Sequence, residues 1–576
     1  MQQTTADRMT DREQTFERLI ELGIALSSER DHNRLMEMIL LEAKRIPNAD
    51  GGTLYLYNEE DGTLSFEIMR NDTLDIAMGG ATGQDIPFPP LNTFDPETQE
   101  ANYKNVATAV ALSKQKSNIA DAYTVEEYDF SGTKAFDEKT GYRSMSFLTI
   151  PLLNRSDDVI GVVQLINARD PDGNVVAFGE DVESIIGSLA SQAAVALENQ
   201  LLVQQLRTLM DSFIELIAGA IDAKSAYTGG HCQRVPELTK MLARAACDSD
   251  DPRFADFGLT EDQWYELHLA GWLHDCGKVT TPEYVVDKAV KLETISNRIH
   301  EVRNRFEIMI REAEIDYLRK SLDASEADRA RFKQEYEERA AQLTDDFEFI
   351  AETNVGGEFL DDDAIERIKR IAAMTWTRTL DRSIGLSWEE GRRLDGCPPD
   401  PVPCQEKLLE DRPDHVTDEY NFGEIYNLAI RRGTLTEEER QKINDHISVT
   451  IDMLESLPFP KSLKKVPEYA GGHHEKMDGT GYPRGLTKDQ MSLPARMMAI
   501  ADIFEALTAS DRPYKKAKKL SESLKIMSFM NKDQHIDPDL FELFLTKDVW
   551  KEYADTFLDP EQIDEVDISN YMPAQA

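Results

Sequence analysis

Residues 473–485 read HHEKMDGTGYPRG, and the two adjacent histidines constrain the chain more than any other feature. Successive side chains cannot share one face of a helix or a strand, so an ordinary core has little use for two imidazoles side by side. Four further motifs place histidine or aspartate in otherwise apolar, helical segments: YTGGHCQRV (227–235), WLHDCGK (272–278), INDHISV (443–449) and AIADIFEAL (499–507). An unpaired imidazole or carboxylate is costly to bury there, and metal coordination removes the cost. Neutral imidazoles mixed with carboxylates suit Fe, Mn, Zn, Co or Ni and argue against Mg or Ca alone. Five histidines and two aspartates are too many ligands for one ion, so two are expected.

The rest of the chain has to supply the setting. Its 576 residues exceed one core and predict three to five units, at roughly 100–200 residues each. The formal net charge is −43, which argues against a nucleic-acid polymer or an anionic membrane as partner. Any nucleotide ligand is therefore small and held by a local site. No apolar run reaches about 18 residues and the first residues lack an apolar secretory core, so a cytoplasmic protein is expected. Five scattered cysteines do not make a disulfide framework, and no metal or redox role is given to Cys397 and Cys404 of CPPDPVPC.

From Thr15 to Ile46 the apolar spacing predicts two amphipathic helices joined near Ser28. GGTLYLYNEEDGTLSFEI (51–68) reads as a hairpin turning at Glu60-Asp61-Gly62. SFLTIPLLN (146–154) and VIGVVQLIN (159–167) form a second pair around Arg155-Ser156-Asp157, and the helix VESIIGSLASQAAVALENQ closes an α+β sandwich. With NIADAY (118–123) and FDEKTGYRSMSFLTIPL (136–152), this region resembles a GAF domain of the kind found in cyclic-nucleotide phosphodiesterases and adenylate cyclases. That subgroup has Asn-Lys after the last strand, then Phe and Asp-Glu. Here Asn167 precedes Ala168, and Phe178 precedes Gly179-Glu180-Asp181. The ligand implied is a cyclic nucleotide or another small molecule, or the domain serves to dimerise without one.

Val195, Leu202, Leu209 and Leu216 recur every seven residues, and Asn199, Leu206, Phe213 and Ala220 fill the complementary row. This is a heptad seam of nearly four repeats, expected to form a parallel two-stranded coil in a homodimer, with Asn199 helping to set register. The alternative is a helix packed on its own domain.

His274-Asp275 with Gly277-Lys278, followed by His473-His474-Glu475, Asp478-Gly479 and Gly481-Tyr482-Pro483, resembles the HD-GYP branch of the HD metal-dependent phosphohydrolases. LPARMMAIADIFEALTASDRPYK (493–515) and HIDPDLFELF (535–544) extend the likeness, which covers about 200 residues in five blocks. The resemblance implies an all-α bundle and a phosphodiesterase that opens cyclic di-GMP to linear pGpG or GMP. It makes His231, His274, Asp275, His446, His473, His474 and Asp502 the metal ligands, with Asp275 bridging two divalent transition-metal ions, Fe or Mn foremost and Zn, Co or Ni as alternatives. Lys278, placed one turn beyond His274 on the same helix, joins Asp275 as a catalytic group and contacts phosphate. Arg512 and Lys515 are further phosphate contacts, and Tyr482 and Pro483 shape the substrate edge. Two such ions activate a water in line with phosphorus, and the basic side chains stabilise the growing charge. Another cyclic nucleotide as substrate, or a binding-only receptor, are the alternatives.

Tyr227 stands where some relatives carry an acid for a third ion, so two ions are expected. Cys276 reads as a small core residue. His32 and His415 read as surface residues, His268 as a packing residue, and His300 as a competitor of His446 for one ligand position. About 140 residues separate DKAVKL (287–292) from GTLTEEE (433–439), far beyond an ordinary loop, and predict a mostly helical insertion that acts as lid, partner site or spacer. ADRARFKQEYEERAAQL and DDDAIERIKRIAAMTW read as its helices, with an irregular stretch from Cys397 to Pro413. The expected order is a tail (1–12), a GAF sensor (13–194), a connecting helix (195–226), the first part of the HD-GYP domain (227–292), the insertion (293–432), the second part (433–555) and an acidic tail (556–576).

Overall fold

The computed structural model describes residues 20–29, 31–224, 230–357, 359–394, 398–417, 420–510 and 517–572. They fall into two compact units, Met1–Asp211 and Ser212–Ala576.

In the first unit a helix ends at Ser28, and Asp31 caps the next, α1 (His32–Arg45), by accepting from the Arg34 amide at 2.9 Å. Both expected hairpins form: β1 (Gly51–Asn58) with β2 (Thr63–Asn71), and β6 (Phe147–Leu153) with β7 (Val159–Ile166). Between them in sequence lie β3 (Ile76–Gly79), β4 (Leu91–Asn92) and β5 (Ser117–Ile119), which sequence periodicity leaves undefined because each is at most four residues long. The hairpins join through the antiparallel pair β1–β7, giving the order β3-β2-β1-β7-β6-β5 with β4 added to β2. One face packs on α1 and the helix after the sheet through Leu35, Ile39, Leu165, Leu189 and Ala193. The other packs on α2 (Val106–Ser113) through Tyr55, Val110, Phe147 and Val162. The result is the expected α+β sandwich.

Asn167 has an internal structural role. Buried and in a left-handed conformation, it accepts from the amides of Met145 and Ser146 and donates to the Tyr142 hydroxyl and the Arg143 carbonyl. It thus pins the YRSMS segment to the end of β7.

The helix that closes the sandwich and the connecting helix are one continuous element, α3 (Glu180–Lys224), with acids in its first turn. Beyond its buried stretch at Ala193–Leu197, the heptad residues Leu202, Leu206, Leu209, Phe213 and Leu216 are 53–68% exposed.

The second unit is a bundle of helices: α4 (His231–Cys247), α5 (Glu261–Leu273), α9 (Glu437–Glu455), α10 (Val466–Gly471), α11 (Leu493–Thr508), α12 (Leu520–Lys532), α13 (Pro538–Thr546) and α14 (Val549–Phe557). α4 packs on α5 and α11, and α10 packs on α5, α9 and α11. Between α5 and α9 the inserted segment folds around its own core of Leu292, Val302, Phe306, Leu343, Ile350, Ile368 and Leu408. Its helices are α6 (Ile299–Ser321), α7 (Glu326–Val355) and α8 (Asp362–Ala372). The helix predicted to run through Trp376 stops at Ala372. Thr375–Arg378 instead pairs as a strand with Cys404–Lys407, inside the stretch expected to be irregular. β-branched and aromatic residues in TWTR suit a strand once a partner is present, and that partner is 26 or more residues away.

Candidate metal centre

Each candidate side chain sits where an element starts or stops, or on a helix face turned inward. Gly230, in a left-handed conformation, begins α4, and His231 is its first residue. α5 ends at Leu273, so His274 and Asp275 lie at the break between α5 and a tight 3₁₀ turn, Cys276–Thr280. The expectation that Lys278 continues the helix of His274 is corrected by this break. The break depends on Gly277: a Cβ there would stand 2.0 Å from the His446 carbonyl oxygen and 2.7 Å from the Thr450 nitrogen. The Gly277 amide donates to Thr450 Oγ1 at 2.9 Å and fastens the turn to α9, which carries His446. His473 and His474 follow the end of α10, and Asp502 lies in α11.

Four imidazoles are oriented by their Nδ1 atoms. His274 donates to the Gly271 carbonyl at 2.7 Å, His473 to that of Ala470 at 2.6 Å, and His446 to that of Ile443. A carbonyl can only accept, so in each ring Nδ1 carries the proton and Nε2 offers a lone pair inward. His231 Nδ1 donates to Glu505 Oε2 at 2.5 Å, and Glu505, fully buried, also accepts from Arg234 at 2.6 and 2.8 Å.

The Nε2 atoms converge with the carboxylates. His231 Nε2 lies 3.1 Å from His274 Nε2, 3.1 Å from Asp275 Oδ2 and 3.4 Å from Asp502 Oδ1. Asp275 Oδ1 lies 3.1 Å from His446 Nε2, so its two oxygens face two groups: His231 with His274, and His446 with His473 and His474. All seven predicted residues are thus brought together. Asp275 Oδ1, His446 Nε2 and His473 Nε2 are buried and have no hydrogen-bond partner among the described residues, which the protein tolerates only where something else satisfies them. Lone pairs aimed at one region beside carboxylates call for cations, and the donor set fits divalent transition metals.

The charge states agree. Burial and the neighbouring His474 and His274 hold His473 well below the ordinary range, and burial holds His474 down to about 4, so both are neutral donors at pH 7. Burial alone would raise Asp502, but His231 and the other imidazoles bring it to about 2. Burial likewise opposes the ionised form of Asp275, which Lys278 and His274 nevertheless keep well below the usual carboxylate range. Against its own burial His231 is raised to about 10 by Glu505, Asp275 and Asp502, another sign that this point favours positive charge. Lys278 Nζ donates to Asp275 Oδ2 at 2.6 Å.

The Gly-Tyr-Pro loop folds back over the histidine pair. Glu475, fully buried, accepts from the amides of Arg484 and Leu486 at 2.7 and 2.9 Å. A Cβ at Gly481 would stand 2.3 Å from the Lys476 nitrogen, so the loop closes only with glycine there. The Tyr482 ring stacks on His474 at 4.9 Å, next to Pro483. Tyr227, Arg512 and Lys515 lie outside the described residues.

His300 is exposed on α6 and accepts from Arg303 at 2.7 Å, away from the histidine group that holds His446. Cys276 is buried, and His268 packs near Tyr265 and Trp272. Glu505 and Arg234 escape the sequence reading. The available signal was an acid in the apolar helix segment three residues after Asp502. Glu505→Gln, which keeps the shape and removes the charge facing His231, lowers Mn²⁺ affinity by about 10–100-fold in a calorimetric titration; unchanged affinity refutes the orienting role.

A GAF domain model matches residues 31–197, and an HD domain model matches residues 419–540. The 3′3′-cGAMP-specific phosphodiesterase 3 of Vibrio cholerae is 43% identical over 114 residues, which are 20% of this chain and 24% of that protein. A cyclic di-GMP phosphodiesterase of Pseudomonas aeruginosa is 49% identical over 73 residues, 13% of this chain and 17% of that protein. One of Thermotoga maritima is 28% identical over 273 residues, 47% of this chain and 66% of that protein. The chain spans about a quarter of the length of the first of these relatives. Residues 31–197 are therefore a GAF domain and residues 419–540 belong to an HD domain, the two families joined in this one chain.

Proposed function

We propose that the protein is a GAF-regulated, two-metal phosphodiesterase that hydrolyses cyclic di-GMP to linear pGpG or GMP. The observation that carries this reading is the convergence of five imidazoles and two carboxylates, with three buried ligand atoms that have no hydrogen-bond partner among the described residues. His231, His274, Asp275 and Asp502 would hold one ion, and His446, His473, His474 and the second oxygen of Asp275 the other. Bound there, divalent ions supply Lewis-acid charge and a water acidified for attack on phosphorus. The chain's own groups do the rest. Asp275 stays ionised between the two ligand groups, and Lys278 presents a cation beside the reacting phosphate, where it stabilises negative charge growing on oxygen. Tyr482 and Pro483 wall the pocket beside His474. Arg512 and Lys515 add phosphate contacts, which lets an acidic chain retain a dianionic ligand.

A second reading, 3′3′-cGAMP as the preferred substrate, is favoured by the relatives named for that activity. Incubating full-length protein with Mn²⁺ or Fe²⁺ and each cyclic dinucleotide, with chromatography of the products, separates the readings. Hydrolysis of cyclic di-GMP at the higher kcat/KM is expected. A tenfold or greater preference for 3′3′-cGAMP transfers the assignment, and tight binding without turnover replaces the enzyme by a receptor.

The proposed domain order is a GAF sensor at 13–194, a connecting helix at 195–226 continuous with the helix that closes the sandwich, HD-GYP parts at 227–292 and 433–555, and the insertion at 293–432. Free thiols at Cys232, Cys247, Cys276 and Cys404 support a cytoplasmic setting, and no helix among the described residues is long and apolar enough to cross a membrane. The exposed seam supports a homodimer through α3. Leu209→Glu is expected to raise the self-association Kd by about 10²-fold, which converts dimer to monomer at micromolar concentration in sedimentation equilibrium. A parent that is monomeric at those concentrations removes the coil.

A further inference from the structure

We infer that the last turn of α3 is a positioning element for the metal centre: Asp222 holds the turn that carries His231, and Lys224 holds the turn that carries Asp275 and Lys278. The inference deepens the proposed phosphodiesterase reading and rests on it for its effect on turnover.

Asp222 Oδ2 accepts from the Gly230 amide at 3.2 Å, and the Asp222 carboxylate and the Cys232 thiol are close enough that each shifts the other's titration. His231 stands between these two residues, so Asp222 holds the chain immediately before the candidate ligand and neighbours the residue after it. Two residues further along α3, the Lys224 ammonium donates to the Val279 carbonyl and lies 3.5 Å from that of Lys278. The 3₁₀ turn is therefore fastened at two points. Gly277 ties its start to α9, and Lys224 ties its end to α3. Neither tether contributes an atom to the convergent ligand group. Each acts through the backbone of residues that do.

The end of α3 also has two distinct faces. Ile214, Ala218 and Ile221 follow i, i+4, i+7 spacing and are buried, while Phe213, Leu216 and Ile217 are exposed. One stripe is buried, and Phe213 and Leu216 on the other side continue the heptad seam. A change of phase in the seam therefore turns a helix whose final residues hold both metal-bearing turns. Each residue added to a helix rotates the downstream turns by about 100° and moves them by about 1.5 Å, whereas seven residues restore the phase to within about 20°.

The test uses the full chain. Hydrogen–deuterium exchange, Mn²⁺ affinity and turnover of cyclic di-GMP are measured for the parent, Lys224→Met, Asp222→Asn, the double variant, and Lys224→Arg as the conservative exchange. In Lys224→Met, amides 277–281 are expected to exchange at least about tenfold faster while the rest of the bundle keeps its protection. Lys224→Arg restores the parent rate. Asp222→Asn speeds exchange at 230–234 and weakens Mn²⁺ binding. Two residues inserted between Gln204 and Gln205 change Mn²⁺ affinity and kcat by fivefold or more, seven inserted residues do not, and the double variant loses this dependence on phase. Unchanged exchange at 277–281 in Lys224→Met, or the same phase dependence in the double variant as in the parent, overturns the inference. If the parent hydrolyses no cyclic dinucleotide, the functional reading fails, and exchange with Mn²⁺ affinity still decides the positioning role.

Discussion

Asp275→Asn is expected to lower kcat/KM for the proposed cyclic dinucleotide substrate by about 10³-fold or more, equivalent to about 4 kcal/mol of transition-state stabilisation. Asparagine keeps the size of the side chain and removes its charge. That charge sits between the two histidine groups, with Oδ2 at 3.1 Å from His231 Nε2 and Oδ1 at 3.1 Å from His446 Nε2. The same change leaves Lys278, whose ammonium sits 2.6 Å from Oδ2, without its counter-charge. Metal content measured beside turnover should fall, on the proposed two-metal reading, from two equivalents to one or none. Activity within tenfold of the parent, at full metal content, would rule out the bridging role.

Gly277→Ala is the second large effect, and it works through packing. A methyl group at this position meets backbone, at 2.0 Å from the His446 carbonyl oxygen and 2.7 Å from the Thr450 nitrogen, and backbone cannot rotate away as a flexible side chain can. Relief requires the Cys276–Thr280 turn to move off α9, which breaks the Gly277–Thr450 hydrogen bond and separates Asp275 from His446. The expected loss of stability is about 3 kcal/mol, at the upper end for an overpacked site. A urea melt of the metal-free protein should read it as a lower midpoint with unchanged slope. Metal binding should weaken in parallel, and a stability within about 0.5 kcal/mol of the parent would refute the account of the turn.

These two residues show how unequal the sequence and the fold are as sources. His274-Asp275-x-Gly-Lys278 is readable because its residue types admit few uses, and the adjacent His473 and His474 exclude a plain core. The reason for glycine at 277 is not readable: the atoms it avoids belong to residues 446 and 450. Glu505 illustrates the same limit. Its proximity to Asp502 marks a second acid on an apolar helix, yet its work is done on His231, 274 residues away in the chain.

The sandwich follows the same division. Alternating apolar residues and short polar turns declare both hairpins, because period-two burial is a property of a few consecutive residues. That β1 pairs with β7, Gly51 opposite Ile166, is a property of the closed sheet. So are the strands of two to four residues, which carry too little pattern to be seen before a partner appears.

By itself, then, the sequence determined what is local and chemical: most of the helices, the two hairpins, the heptad row, and seven side chains expected to bind metal. Only the tertiary structure decided what lies at long range: that residues 231, 274 and 275, before the insertion, meet 446, 473, 474 and 502 after it, and that Glu505, Thr450, Asp222 and Lys224 hold them there. The physical reason is reach. Propensity and periodicity act over a few residues, whereas a metal centre is specified by distances of about 3 Å between groups that the chain brings together only when its core closes.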